Sequence, residues 1–145
     1  MSEANKDVVR RIEEAWNSNQ LDKLDALFTL DFKQWSGFPG RPATIESAKQ
    51  AHQMSVQAMP DRRTEIQDMI AEGDQVMVRI RMTGTNTGGF PAFGIPANGN
   101  KADVEWISIY GVKNGKATEH RAVMDVMGFM QQMGAIPAAG AVPGA

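Results

Sequence analysis

The stretch Val76-Met77-Val78-Arg79-Ile80-Arg81-Met82 sets Val76, Val78, Ile80 and Met82 at every second position, the period of a β-strand with one face buried. The same period continues on both sides. Upstream, Ile66, Asp68 and Ile70 alternate and Glu72-Gly73-Asp74 turns the chain back, so the two strands are expected to pair antiparallel. Downstream, Val104 to Val112 reads as a third strand, Asn114-Gly115 as a hairpin turn and Lys116 to Asp125 as the returning fourth. Residues 84 to 100 between them hold five glycines, two prolines and three asparagines, with Phe90, Phe93 and Ile95 interspersed. A loop this long is uncommon unless it serves function.

Before Thr64 the period is 3.6. Val8, Val9, Ile12, Ala15 and Trp16 line one face of a helix over 8–16, with Arg10, Arg11, Glu13 and Glu14 assigned elsewhere around it. A short helix follows with Leu21, Leu24, Leu27 and Phe28 on one stripe, leading into Asp31-Phe32-Lys33-Gln34-Trp35. Gly37 to Pro42 is a breaker-rich loop. Thr44 has the chemistry of an N-cap for a helix carrying Ile45, Ala48, His52, Val56 and Met59 inward and ending before Pro60. A last helix spans Val126 to Met133, and the Ala/Gly/Pro-rich segment 135–145 is expected to be a flexible tail behind a single domain of residues 1–134. Helices first and antiparallel strands afterwards indicate an α+β fold in which helices cover one face of a curved sheet.

The chain has 145 residues, a formal net charge of −2, two histidines and no cysteine. That length suits one globular domain with a core that needs no disulfide or metal. Thiol chemistry and Cys-ligated zinc are excluded, and two histidines leave no His-rich metal site. Seventeen acidic against fifteen basic residues argue against nucleic acid as a partner. No run approaches the roughly 18 apolar residues of a membrane span, and the acidic N-terminus lacks the pattern of a targeting segment, so the expected location is cytoplasmic.

No phosphate loop, dinucleotide fingerprint or nucleophile elbow is present, so classical cofactor and nucleophile chemistry lacks support, any metal would have to be held mostly by carboxylates, and carboxylate and imidazole acid–base chemistry remains. Asp125 is the leading catalytic candidate. It ends the apolar stretch Ala122-Val123-Met124 and precedes Val126-Met127, where desolvation would raise its pKa. Asp before a helix is also a favoured N-cap, and both readings stay open. Glu119, Arg121, Val123 and Asp125 share one strand face, His120, Ala122 and Met124 the other. Likewise Trp106, Ser108 and Tyr110 stand opposite Glu105, Ile107 and Ile109, and the inward face is undecided. His52 and His120 are secondary catalytic candidates, with core packing as the alternative. Trp35, Phe90, Phe93, Glu105, Tyr110 and Arg121 are candidates for the wall of a substrate pocket. Arg79 and Arg81 could clamp a carboxylate, or simply lie exposed.

In this context the chain resembles the SnoaL-like polyketide cyclases, or ester cyclases, of the cone-shaped α+β fold typified by nuclear transport factor two. The resemblance runs from about Val9 to Gly134. It rests on Trp16-Asn17, Leu21 to Phe28, Met59-Pro60-Asp61, Glu72 to Val76, Thr83 to Gly88, Gly94 to Gly99, Asn114 to His120, and Asp125 with Gln131-Gln132-Met133-Gly134 behind it. It implies a cofactor-independent intramolecular aldol cyclisation or isomerisation of a lipophilic carbonyl compound, with Asp125 as acid–base. Many relatives carry histidine at the positions of Trp35 and Asn86 and tryptophan at that of Arg121. Two further readings are a hydrolase resembling epoxide hydrolases, with Arg121, Asp125 and a second carboxylate around a water, and a non-catalytic ligand-binding protein. Exposed sheet surface in such folds is commonly covered by a second copy, so a homodimer is expected.

Overall fold

The computed structural model describes residues 2–35 and 42–137, so most of the expected loop 37–42 and of the tail 135–145 lies outside the described residues. Helix α1 (Ser2–Asn17) is followed by a 3-10 segment, Leu21–Ala26, where the second helix is expected. Then come β1 (Phe28–Trp35), α2 (Ile45–Ala58), β2 (Arg63–Glu72), β3 (Gln75–Thr85), β4 (Lys101–Lys113), β5 (Lys116–Met124) and α3 (Val126–Gln132). The sheet order is β1-β5-β4-β3-β2. The four later strands pair antiparallel as expected, whereas β1 lies parallel to β5, making the sheet mixed. That pairing joins segments nearly ninety residues apart, which no local pattern in 28–35 encodes.

Local chemistry explains the element boundaries. Thr44 caps α2 by accepting from the Ser47 N–H while Ser47 Oγ accepts from the Thr44 N–H, which satisfies two otherwise orphaned donors. The β4–β5 hairpin turns on Asn114 and Gly115, both at positive φ, the geometry that matches the twist of the flanking strands. In the long loop, Asn86 Nδ2 donates to the Pro96 carbonyl and its Oδ1 accepts from the Gly89 N–H. Asn98 and Asn100 reach over to the Met133 and Gln132 carbonyls and so tie the loop to the end of α3. These asparagines hold backbone that has no ladder of its own.

Two apolar clusters build the interior. One joins Val8, Val9 and Ile12 of α1 to Val76, Val78 and Ile80 of β3 and Val112 of β4. The other joins Met59, Met82, Phe90, Val104, Phe129 and Met133. Trp106 packs against both. Val76, Val78, Ile80 and Met82 are all buried, so the period-2 reading of that strand holds position by position. On β4 the inward set is Trp106, Ser108 and Tyr110, which settles the phase that alternation alone left open. Ile107 and Ile109 face out and are half-exposed.

Candidate functional site

Between the helices and the inner sheet face lies a chamber of about 380 Å³. Trp16 of α1, Phe28 and Phe32 of β1, Met82 of β3, Phe90 of the long loop and Trp106 of β4 form much of its wall. Ala51, Met54 and Phe93 are its exposed lining residues and mark the mouth. The apolar lining matches a pocket for a drug-sized lipophilic molecule in size and character.

The carboxylate in this wall, among the described residues, belongs to Glu13. The spacing Val9, Ile12, Glu13, Trp16 puts it on the buried stripe of α1, and burial raises its pKa from 4.5 to about 7, against lesser lowering by Tyr110, Arg62 and Thr64. Tyr110 Oη donates to Glu13 Oε1 at 3.2 Å. Thr64 Oγ1 lies 3.3 Å from Glu13 Oε2 and 2.9 Å from Asn17 Oδ1, and Asn17 is held by the Thr64 backbone through both its amide atoms at 2.8 Å. The Tyr110 phenol is itself pushed up by burial and then by Glu13, so it remains a hydrogen-bond donor at neutral pH. A carboxyl group with a pKa near 7, fixed by a rigid donor and facing an apolar chamber, is suited to take up and return a proton.

Both histidines line the chamber. His120 pairs with Tyr110 across β4 and β5 and stacks on its ring at 4.3 Å; burial lowers its pKa to about 4. His52 leans on Trp16, with ring centroids 4.8 Å apart, and burial followed by the Arg62 charge lowers it to about 4. Both are therefore neutral imidazoles at pH 7, and neither Nε2 has a protein partner. Phe90, Phe93 and Tyr110 also stand in the lining, as the sequence suggests.

Four expected site residues lie elsewhere. Asp125 is exposed and absent from the lining; its carboxylate accepts the Gly128 N–H at 2.9 Å and caps α3. A Cβ on Gly128 would run into that carboxylate, so the acid is folded back over the helix end while its neighbours Met124 and Val126 face the chamber. The cause is parity: inward His120, Ala122 and Met124 leave the next odd position outside. Arg121 projects from the other sheet face, its guanidinium 4.2 Å from the Trp35 ring centroid and 3.7 Å from Glu119. Trp35 and Arg121 border a shallow depression with Ile107, Ile109 and Val123 on that face. Glu105 pairs with Arg79, and Arg79 also with Asp68, while Arg81 donates two parallel hydrogen bonds to the Asp103 carboxylate. These exposed ion pairs occupy both arginines and Glu105. Glu119 does stand beside Arg121, but Arg121, Asp125, Glu105 and Glu119 are all absent from the chamber lining, so the constellation of the hydrolase reading is not assembled there.

Truncating the cap gives a direct check on Asp125. Asp125→Ala is expected to lower stability by about 1 kcal/mol, with Asp125→Asn close to wild type because asparagine caps equally well. Urea unfolding measures both.

An open α+β cone with helices closing an apolar chamber against the inner face of its sheet is the class of protein these observations define. The chain belongs to the SnoaL-like polyketide cyclase family, whose pattern matches residues 6–133. No curated protein matches it. Among solved structures it is similar to IdmH of Streptomyces antibioticus, described as "a putative polyketide cyclase", at 26% identity over 90% of this chain and 98% of that one, with a TM-score of 0.80. A "putative polyketide cyclase" of Bacillus cereus is 29% identical over 89% of this chain and 79% of that one, TM-score 0.75. AclR of Streptomyces galilaeus, "a putative hydroxylase", shares the fold at 22% identity, with 96% and 86% of the two chains covered and a TM-score of 0.85.

Proposed function

We propose that this protein catalyses an acid–base ring closure or isomerisation of a lipophilic, polyketide-type carbonyl compound, with Glu13 in place of Asp125 as the proton carrier. The observation that supports this most is Glu13 itself, a carboxyl group with a pKa of about 7 in an apolar wall, held by Tyr110. Its carboxylate would take a proton from a carbon flanked by carbonyls, and the enolate carbon would attack a carbonyl of the same molecule. The alkoxide then takes the proton back from Glu13, so the proton inventory closes without another reagent. Folding one chain on itself makes the reaction unimolecular, an advantage of roughly 7–11 kcal/mol in well-oriented cases. Phe90, Trp106 and Phe32 would supply that orientation and exclude water. The test is incubation with a panel of methyl-ester polyketones, following ring closure by mass and absorbance. Closure above the protein-free rate supports the reading; tight binding with no turnover across the panel assigns a ligand-binding protein instead.

The outer sheet face supports a homodimer. Ile107, Ile109 and Val123 lie exposed side by side, Val123 at 75%, beside the ion pairs of Arg79 and Arg81. A second copy covering this patch removes it from water. The expected mass in solution is about twice 15.8 kDa, and Ile107→Glu should return the monomer mass. Light scattering on both proteins decides it, and a wild type that stays monomeric at high concentration contradicts the dimer.

A further inference from the structure

Beside Trp106 in the chamber wall stands a cation. Arg62 lines the chamber; its Nε is buried without a hydrogen-bond partner, and among the described residues it is in no ion pair. Its backbone is fixed. The Arg62 N–H donates to the Met59 carbonyl at 2.9 Å, and neighbouring Asp61 clamps the Thr85 N–H and hydroxyl at 2.7 Å each. The guanidinium lies 6.0 Å from the Trp106 ring centroid. Arginine stays charged in proteins and offers only donors, in a planar fork, and buried donors are rarely left unmet.

We infer that Arg62 receives the oxygen atoms of the substrate's own anion, the enolate of a 1,3-dicarbonyl unit, and that the chamber selects lipophilic molecules carrying such an acidic head. This deepens the reading of Glu13 as proton carrier and rests on it. When Glu13 takes the C–H proton, the carboxylate loses its charge and the dicarbonyl gains it, so the net charge facing Arg62 is unchanged. The guanidinium exchanges a carboxylate that it feels but does not pair with for an enolate it can contact through two N–H groups. His52 and His120, neutral and each with a free Nε2, add polarity to the same wall without competing for the anion. Tyr110, the remaining titratable group there, is held by Glu13.

The probe is 1-phenylbutane-1,3-dione, whose enolate absorbs at longer wavelength than its neutral form and which has no further carbonyl with which to ring-close, so the readout is independent of turnover. Titrated in the presence of saturating wild-type protein, its apparent pKa should fall by about one unit or more relative to free probe, as expected for an opposite charge in contact. Arg62→Met should abolish the fall, Arg62→Lys should keep part of it, and Glu13→Gln should keep or enlarge it because a competing anion is gone. Circular dichroism establishes that each variant is folded. A bound pKa equal to or above that of free probe in wild type overturns the assignment, as does an undiminished fall in folded Arg62→Met. Because Glu13→Gln is expected to lose turnover yet keep the probe shift, failure of the Glu13 reading and failure of the Arg62 reading give different results.

Discussion

Glu13→Gln is expected to lower turnover by roughly 10²-fold or more, the size of a lost general acid–base group, while Asp125→Asn retains turnover within about two-fold of wild type. The two substitutions each remove one negative charge and keep a planar amide in place of a carboxylate, so their difference reads position rather than chemistry. Glutamine preserves the packing: its carbonyl oxygen can still accept from Tyr110, and its amide can donate to Thr64, the two groups within 3.3 Å of the native carboxylate. The fold should therefore survive the change that stops the proton. Rates that fall with Asp125→Asn and persist with Glu13→Gln would return the catalytic role to the rim acid and leave Glu13 a buried structural group. For the wild-type enzyme the carboxylate form is the base, so kcat/KM should rise with pH through a midpoint of about 7.

The second large effect is on stability. His120 is a buried neutral imidazole with a folded-state pKa of about 4 against 6.5 when free. Between those values the unfolded chain binds a proton that the folded chain refuses, so stability rises with pH over that window and is lost as the solution is acidified from 6.5 toward 4. The loss is on the order of 2–3 kcal/mol for His120, and His52, displaced in the same direction, adds to it. Glu13 acts oppositely. Its folded pKa of about 7 stands above 4.5, so the folded chain holds a proton the unfolded chain has released, and this contribution fades as pH rises through 7. Between 4.5 and 6.5 the two imidazoles outweigh the one carboxyl group; near 7 the two contributions are about equal and opposite. Stability should therefore rise with pH from about 4 and level off near 7, where the imidazole and carboxyl contributions offset each other. Urea unfolding at a series of pH values should show this acid limb, with His120→Phe flattening it and Glu13→Gln steepening it. An acid limb unchanged in His120→Phe would remove His120 as its source.

Much of the architecture was legible because period and turn chemistry are local. The four-strand run from Thr64, the capping Thr44 and the Asn114-Gly115 turn each declare themselves within a few residues. The parallel partner of β5 did not, since β1 meets it only through tertiary packing. The site was legible in part. Phe90, Phe93, Tyr110, His52 and His120 carry apolar or inward-stripe signals and do line the chamber. Glu13 gives no such signal, because charged residues are ordinarily placed on the wet face of a helix, although the 9-12-13-16 spacing puts it between Ile12 and Trp16. Arg62, two residues after Pro60 and just ahead of β2, carries no periodic signal of its own. Alternation also separates the candidates on the last strand: the even positions His120, Ala122 and Met124 face the chamber, and Asp125, just past the end of β5, continues the odd set. Glu105 and Tyr110 are separated by the same rule.

The proposed proton carrier is Glu13, held near neutrality by its burial in the chamber wall. Carbon-13 labelling of the glutamate carboxyl groups, with Glu13→Gln to assign the resonance, gives its titration curve directly. The account predicts a midpoint of about 7; a midpoint in the ordinary carboxylate range near 4.5 would contradict it.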